Sequence, residues 1–260
     1  MSGHSKWHNI KLRKGKADAQ RGQLFTKLSK EIIVAARSGS PDPEANFRLK
    51  MAVAKARDNN MPIDTIKRAI ARASGTGKGE ALDEIRYEGY GPAGVAVIVD
   101  AVTDNRNRTA SEMRYVFSRN GGNLGESGSV SWLFEERGVI TIPTRAEVRG
   151  TTSISEDELI ECAVVDGVLD VKHEGETADV ITEPRALGTV RAEIERTLLT
   201  PRGLKPESAS LELVARAMVP ISAANAPAVL RLLDALEEHD DVTHVYSNAD
   251  IPIAVLEALA

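Results

Sequence analysis

The spacing of apolar residues changes once along this chain, across Ser74 to Glu80, and that change limits the folds open to it. Before the segment, apolar positions recur with helical period; after it, short β-branched runs alternate with helical stretches. From Asp18 to Arg37, the residues Leu24, Leu28, Ile32 and Ala35 fall on one stripe of a helix. A second helix is expected from Pro43 to Asp58, capped by Asp42 and burying Ala45, Leu49, Ala52, Val53 and Ala56. Pro62 opens a third, which buries Ile63, Ile66, Ile70 and Ala73 and ends at Ser74-Gly75. Three short helices of this kind make a small bundle. The Gly- and Ser-rich stretch Ser74 to Glu80 then reads as a hinge.

Beyond the hinge, strands are expected at Tyr87 to Tyr90 and Val95 to Val102, followed by a helix from Asn105 to Arg119. A glycine-rich loop, Gly121 to Gly128, leads to a strand from Val130 to Phe134. A further set follows: strand Val139 to Ile142, helix Glu156 to Val165, strands Val168 to His173 and Asp179 to Thr182, and helix Arg185 to Leu199. The last set is strand Ser210 to Val219, helix Asn225 to Glu238 and strand Val242 to Tyr246. The fold class is α+β: an N-terminal three-helix bundle with a basic tail, and two α/β sandwich domains of split β-α-β, ferredoxin-like character, the middle one discontinuous. The expected boundaries are a flexible tail at 1–16, the bundle at 17–78, a discontinuous domain at 79–135 and 207–260, and an inserted domain at 136–206.

Charge divides along the same line. Residues 1–78 hold seventeen Lys and Arg against six Asp and Glu, whereas the remainder holds sixteen against thirty-two. The formal net charge of −5 hides this split. A basic front on an acidic body is the pattern of a chain that grips phosphate at one end. Aromatic residues are only 4% of the chain, which argues against a serial base-stacking platform. The single Cys162 permits neither an internal disulfide nor a cysteine zinc site. No apolar run approaches the ~20 residues of a membrane span, and no signal-peptide core opens the chain. The expected compartment is the cytoplasm.

The candidate nucleic-acid contacts begin in the tail with Lys6, Trp7, Lys11, Arg13, Lys14 and Lys16. They continue along the bundle with Arg21, Lys27, Lys30, Arg37, Lys55, Arg68 and Arg72, which are expected to face outward with few acidic partners. Arg106 and Arg108 complete the set, in the first turn of a helix where free backbone N–H groups already favour anions. His4 and His8 lack the further ligands a metal needs. Gly89 to Gly94 matches the dinucleotide fingerprint in letters, but a strand rather than a helix follows it. Gly121 to Gly125 suits either an anion nest or a tight turn. The acidic cluster Glu237, Glu238, Asp240 and Asp241 reads as a solvated patch or a protein contact rather than a magnesium site. No cofactor, metal or small-molecule substrate is expected.

Several longer motifs carry a family resemblance: Gly3-His4-Ser5-Lys6-Trp7, Asn60-Met61-Pro62, Tyr87-Glu88-Gly89-Tyr90-Gly91-Pro92, Thr103 through Thr109, Gly121 through Gly125 and Asp240-Asp241-Val242. In this order they resemble the YebC family, over nearly the whole chain. The resemblance implies three domains and a non-enzymatic regulator of gene expression that binds DNA through its basic N-terminal helical domain. It also implies an alternative, a ribosome-associated translation factor that binds ribosomal RNA and assists proline-rich synthesis; the family's mitochondrial members are known as translational activators of cytochrome oxidase. Carried over by position, it points to Lys6, Lys11, Arg13, Lys14, Arg21, Lys27, Arg68, Arg106 and Arg108 as contacts. Two positions depart from the family pattern: Leu12, where a basic residue or His is usual, and Gly167-Val168-Leu169-Asp170 in the inserted domain. A metal-dependent nuclease built on Asp100, Asp104 or the acidic cluster ranks third, because these carboxylates share no metal-ligand spacing.

Overall fold

A computed structural model describes residues 17–74, 82–147, 151–174 and 176–259. The basic tail and most of the expected hinge lie outside the described residues. The helical period before the hinge is realised as α1 (Ala17–Arg37), α2 (Phe47–Asp58) and α3 (Ile63–Ser74). Their shared core holds Leu28, Ile32, Leu49, Val53 and Ile66, the stripes that the spacing marked. Helix α2 starts later than expected. Asn46, not Asp42, caps it by accepting from the Leu49 N–H (3.1 Å), while its amide donates to the Ala35 and Ser40 carbonyls (2.8 Å each). A side chain that closes three backbone groups displaces a cap that closes one.

The chain forms two compact units, Met1–Glu135 with Val214–Ala260, and Glu136–Leu213. The first unit joins the bundle to a four-stranded sheet. Its strands are β1 (Asp83–Tyr90), β2 (Ala96–Thr103), β3 (Asn123–Leu124) and β11 (Val242–Ser247), in the order β11-β2-β1-β3. Strand β2 pairs antiparallel with both β1 and β11. Helices α4 (Arg106–Arg119) and α7 (Ala226–Glu237) cover the face bearing Val97 and Val99, where Met113, Phe117, Leu232 and Leu233 close the core. Helix α1 packs against β11. Strand β2 is almost wholly buried as a result, which accounts for its run of β-branched residues.

Of the two forms open to the glycine loop one is realised, and the strand expected after it is corrected. Gly121 (φ +75°) ends α4, and the Gly122 N–H returns to the Phe117 carbonyl (2.8 Å). The N–H groups that an anion nest would offer are spent on helix closure, so this is a tight turn. No strand runs from Val130 to Phe134. The buried Glu88 carboxylate accepts from the Gly128, Val130 and Ser131 N–H groups (2.8 Å each), pulling this segment into a turn, and the strand begins only at Phe134. Burial would raise the Glu88 pKa, but these three donors outweigh it and hold the group ionised below the usual carboxylate range.

The second unit is α/β as well. Its sheet has the order β7-β8-β4-β9, from β4 (Phe134–Pro143), β7 (Val168–Glu174), β8 (Thr177–Thr182) and β9 (Ser208–Ala215). Helix α5 (Glu156–Ala163) starts on a capping box of Ser155 and Glu158. Helix α6 (Leu187–Ile194) continues through a π turn at Glu195–Leu199. This unit also holds the two-stranded ribbon of β5 (Arg145–Glu147) and β6 (Thr151–Ser153), whereas the ribbon of β10 (Val219–Pro220) and β12 (Ala249–Asp250) and the short α8 (Ile253–Leu259) belong to the first unit. No helix among the described residues is long and apolar enough to cross a membrane.

Candidate nucleic-acid interface

The cations of the bundle separate into two groups once their partners are known. Helix α1 turns one flank toward the loop between α7 and β11. There the Lys27 ammonium donates to the Glu237 carbonyl, and Lys30 donates to the Asp240 carbonyl (2.8 Å) and to Asp241 Oδ1 (2.9 Å). Gln23 adds a bond to the Glu238 carbonyl (2.6 Å). Further along the same interface, Lys55 of α2 lies 3.2 Å from Glu31 Oε1 and 2.9 Å from His244 Nε2. The outward placement expected of Lys27, Lys30 and Lys55 is therefore corrected. The acidic cluster at Glu237 to Asp241 supplies an intramolecular docking face, and long basic side chains reach it from α1.

Asp241 is the centre of that face. Its side chain is 9% exposed and accepts from Lys30, from Arg108 Nη2 (2.8 Å) and from the Thr109 hydroxyl (2.8 Å). Burial pushes its pKa up, but the donors Arg108, Lys30 and Thr109 outweigh burial and hold it well below the ordinary 3.8. Around Lys55, burial and then the Lys55 charge lower the pKa of His244, which favours a neutral ring accepting at Nε2. Burial raises the Glu31 pKa, and Lys55 with His244 more than reverses that. Lys27 is pulled down by burial against the opposing charges of Glu237 and Asp240. These are the signatures of structural ion pairs that hold the bundle on the sheet.

The second group behaves differently. Arg37 ends α1, Arg72 closes α3, and both are exposed with no carboxylate partner among the described residues. Arg68, one turn before Arg72, donates to the Asp64 carbonyl (3.2 Å) and the Thr65 hydroxyl (3.1 Å), so its charge is not neutralised by these bonds. Arg37 and Arg72 both line a cleft of about 290 Å³, whose other charged residues are Lys30, Arg108, Asp104 and Asp241. Ile33 and Leu82 add apolar side chains to its lining. Arg108 reaches it from the first turn of α4, which is capped by Asn105. Arg106 stands nearby, its guanidinium 3.8 Å from Asp83.

Of the residues singled out from sequence, the fold thus brings Lys30, Arg37, Arg72 and Arg108 together. It turns Lys27 and Lys55 elsewhere, and Lys6, Trp7, Lys11, Arg13, Lys14 and Lys16 lie outside the described residues. Arg21 falls within α1. Sequence reasoning missed Asp241, Thr109 and His244 as organising groups. Their local signals were the Thr103 to Thr109 and Asp240-Asp241-Val242 motifs, which do not name each other as partners, since the contacts that matter span more than a hundred residues. Glu112, His239 and Asp241 approach within metal-ligand range of one another. A divalent ion there would have to displace Lys30 and Arg108 from Asp241, and both His239 ring nitrogens already have partners in Glu112 and the Asp241 N–H. The other carboxylates of the nuclease reading are matched too, Asp100 by Arg86 (2.7 Å) and Asp104 by Arg108 (2.9 Å).

Comparison with known proteins bears on what this arrangement serves. Residues 5–76 match a family model described as the TACO1/YebC protein N-terminal domain, and residues 82–249 match the TACO1/YebC second and third domain. A "Probable transcriptional regulatory protein" of Rubrobacter xylanophilus is 50% identical, with all of both chains covered. One of the same name from Dictyoglomus turgidum is 47% identical over the full length of both. Among solved structures, the conserved hypothetical protein Aq1575 from Aquifex aeolicus superposes with a TM-score of 0.79 at 47% identity, covering 91% of this chain and 93% of that one.

Proposed function

Since the chain belongs to the TACO1/YebC family, we propose that it is a cytoplasmic, non-enzymatic regulator of gene expression that binds nucleic acid through the helical bundle. One observation carries the reading: Arg37, Arg68 and Arg72 are exposed on two packed helices and are not offset by carboxylates among the described residues. A solvated helix face normally mixes signs, whereas this one keeps its positive charge available for phosphate. Transcriptional regulation on DNA, the role in the relatives' names, is the first form of this reading. Grip on the backbone would dominate it, because arginines at helix ends address phosphates more readily than base edges. Binding to ribosomal RNA in translation is the second form. The concave setting of Arg37 and Arg72 favours it, since a cleft suits a strand or loop better than a duplex groove.

Fluorescence anisotropy with a duplex DNA, a hairpin RNA and a single strand, across a salt series, tests the reading. Binding that weakens steeply with salt, and whose slope falls by about one for each of Arg37, Arg68 and Arg72 neutralised, is the expected result. Affinity that ignores all three arginines overturns it. Crosslinking in cells with sequencing of the bound nucleic acid then separates the DNA form from the ribosomal one.

A further inference from the structure

The cleft holds four cations, Lys30, Arg37, Arg72 and Arg108, and two carboxylates, Asp104 and Asp241. The carboxylates are spoken for: Asp241 binds Lys30 and Arg108, and Asp104 binds Arg108. The surplus of two positive charges therefore sits on Arg37 and Arg72. A phosphodiester within a strand carries one negative charge, whereas a terminal phosphomonoester carries close to two at neutral pH. The match is with the second. The hydroxyls on the α1 wall do not compete for recognition, because Thr26 and Ser29 donate to the Gly22 and Phe25 carbonyls of their own helix. Recognition in the cleft is left to guanidinium groups, whose forked donors suit phosphate oxygens. At about 290 Å³ the space takes one phosphate and its adjoining sugar, with Ile33 and Leu82 in the lining, and is too small for a duplex.

From this we propose that the cleft between the bundle and the sheet is a site for the terminal phosphomonoester of a nucleic-acid strand, held between Arg37 and Arg72. Lys30 and Arg108 are kept in place by Asp241, so they fix the wall of the cleft without adding to its surplus charge. The inference rests on the nucleic-acid reading given above and names the part of the nucleic acid that this site takes.

The test uses the full chain and one single-stranded oligonucleotide prepared with a 5′-phosphate, with a 3′-phosphate, or with hydroxyls at both ends. One phosphorylated form is expected to bind about tenfold more tightly than the hydroxyl form, the scale of one added charge-assisted contact. The double variant Arg37→Gln/Arg72→Gln is expected to erase that advantage, whereas Lys50→Gln, outside the cleft and paired with Glu44, keeps it. Unchanged thermal unfolding of the double variant shows that it still folds. Equal binding of all three forms with ordinary salt dependence overturns the end-binding site and leaves the broader reading standing. Failure of every form to bind overturns both. A nucleoside monophosphate that displaces the phosphorylated strand as well as the strand displaces itself assigns the cleft to a free nucleotide and overturns the strand-end proposal.

Discussion

The inner flank of the bundle and its outer ends use the same residue types for opposite purposes. On the inner flank Lys27 and Lys30 are partly buried and reach carbonyls and a carboxylate beside the sheet, while Lys55 pairs with Glu31 of α1 and meets the His244 ring of β11. At the outer ends Arg37, Arg68 and Arg72 stand exposed and meet no carboxylate among the described residues. Formal charge counts both groups alike. Physical chemistry separates them, because a cation that has already exchanged water for a carboxylate has little left to offer a phosphate. The basic front of the molecule is therefore part clamp and part grip.

The hardest blow to the clamp should come at Asp241. Replacing it with Asn leaves Lys30 and Arg108 without the anion that gathers them, and removes an acceptor from the buried Thr109 hydroxyl. Breaking a largely buried pair of this kind costs about 3 kcal/mol, readable in urea unfolding of Asp241→Asn. The pH dependence follows from the depressed pKa. The carboxylate's contribution is complete above its ordinary 3.8 and is lost as pH falls from there toward the folded value. The stability gap between the wild type and Asp241→Asn should close as the solution is acidified below about pH 4. A gap that does not narrow at all between pH 4 and pH 2 would show that the loss is one of shape rather than charge.

The grip should respond in the reverse sense. Arg37→Glu/Arg72→Glu is expected to weaken nucleic-acid binding roughly thirtyfold, about 2 kcal/mol, and to leave the unfolding midpoint nearly unchanged. Loss of stability comparable to that of Asp241→Asn would place these arginines in the clamp and dissolve the distinction.

How far the sequence reveals this division depends on the range of the contacts. The bundle core was legible because Leu28, Ile32, Leu49 and Val53 obey a local period that any helix must satisfy. The failure at Asp42 arose from a tertiary bond set, since Asn46 reaches back to Ala35 and Ser40 as well as capping its own helix. The strand expected at Val130 failed for a similar reason, Glu88 lying more than forty residues away. In the site, Arg37 and Arg72 could be marked as exposed from helix phase alone. That Lys30 meets Asp241, 211 positions later, had no local trace: the acidic cluster read in isolation as a solvated patch or a protein contact, with nothing to name the partner.

A smaller test of the clamp lies at His244. Burial and the neighbouring Lys55 keep its pKa below the ordinary 6.5, while Glu31 and Asp100 pull the other way. The unfolded chain therefore binds a proton more readily, and stability present above pH 6.5 is lost as pH falls through that value. The wild type is expected to lose about 1 kcal/mol between pH 7 and pH 5 relative to His244→Gln, measured by thermal unfolding in matched buffers. Identical profiles would mean that the ring takes up its proton at no cost, and that the Lys55 contact gives way.

The smallest effect should fall on Arg106, which belongs to neither group. Its guanidinium is 64% exposed and 3.8 Å from an Asp83 that is itself 48% exposed. A pair so open to solvent contributes at most about 0.5 kcal/mol, so Arg106→Ala should unfold almost as the wild type does. The cleft lining does not include it, although it shares the first turn of α4 with Arg108. Its loss should therefore cost less than threefold in affinity, the share of a peripheral charge acting through salt-screened attraction. A loss matching that of Arg72→Glu would move the grip away from the cleft and onto the start of α4. Binding would then follow proximity to the helix N-terminus, and freedom from carboxylates would no longer be the property that selects the contacts.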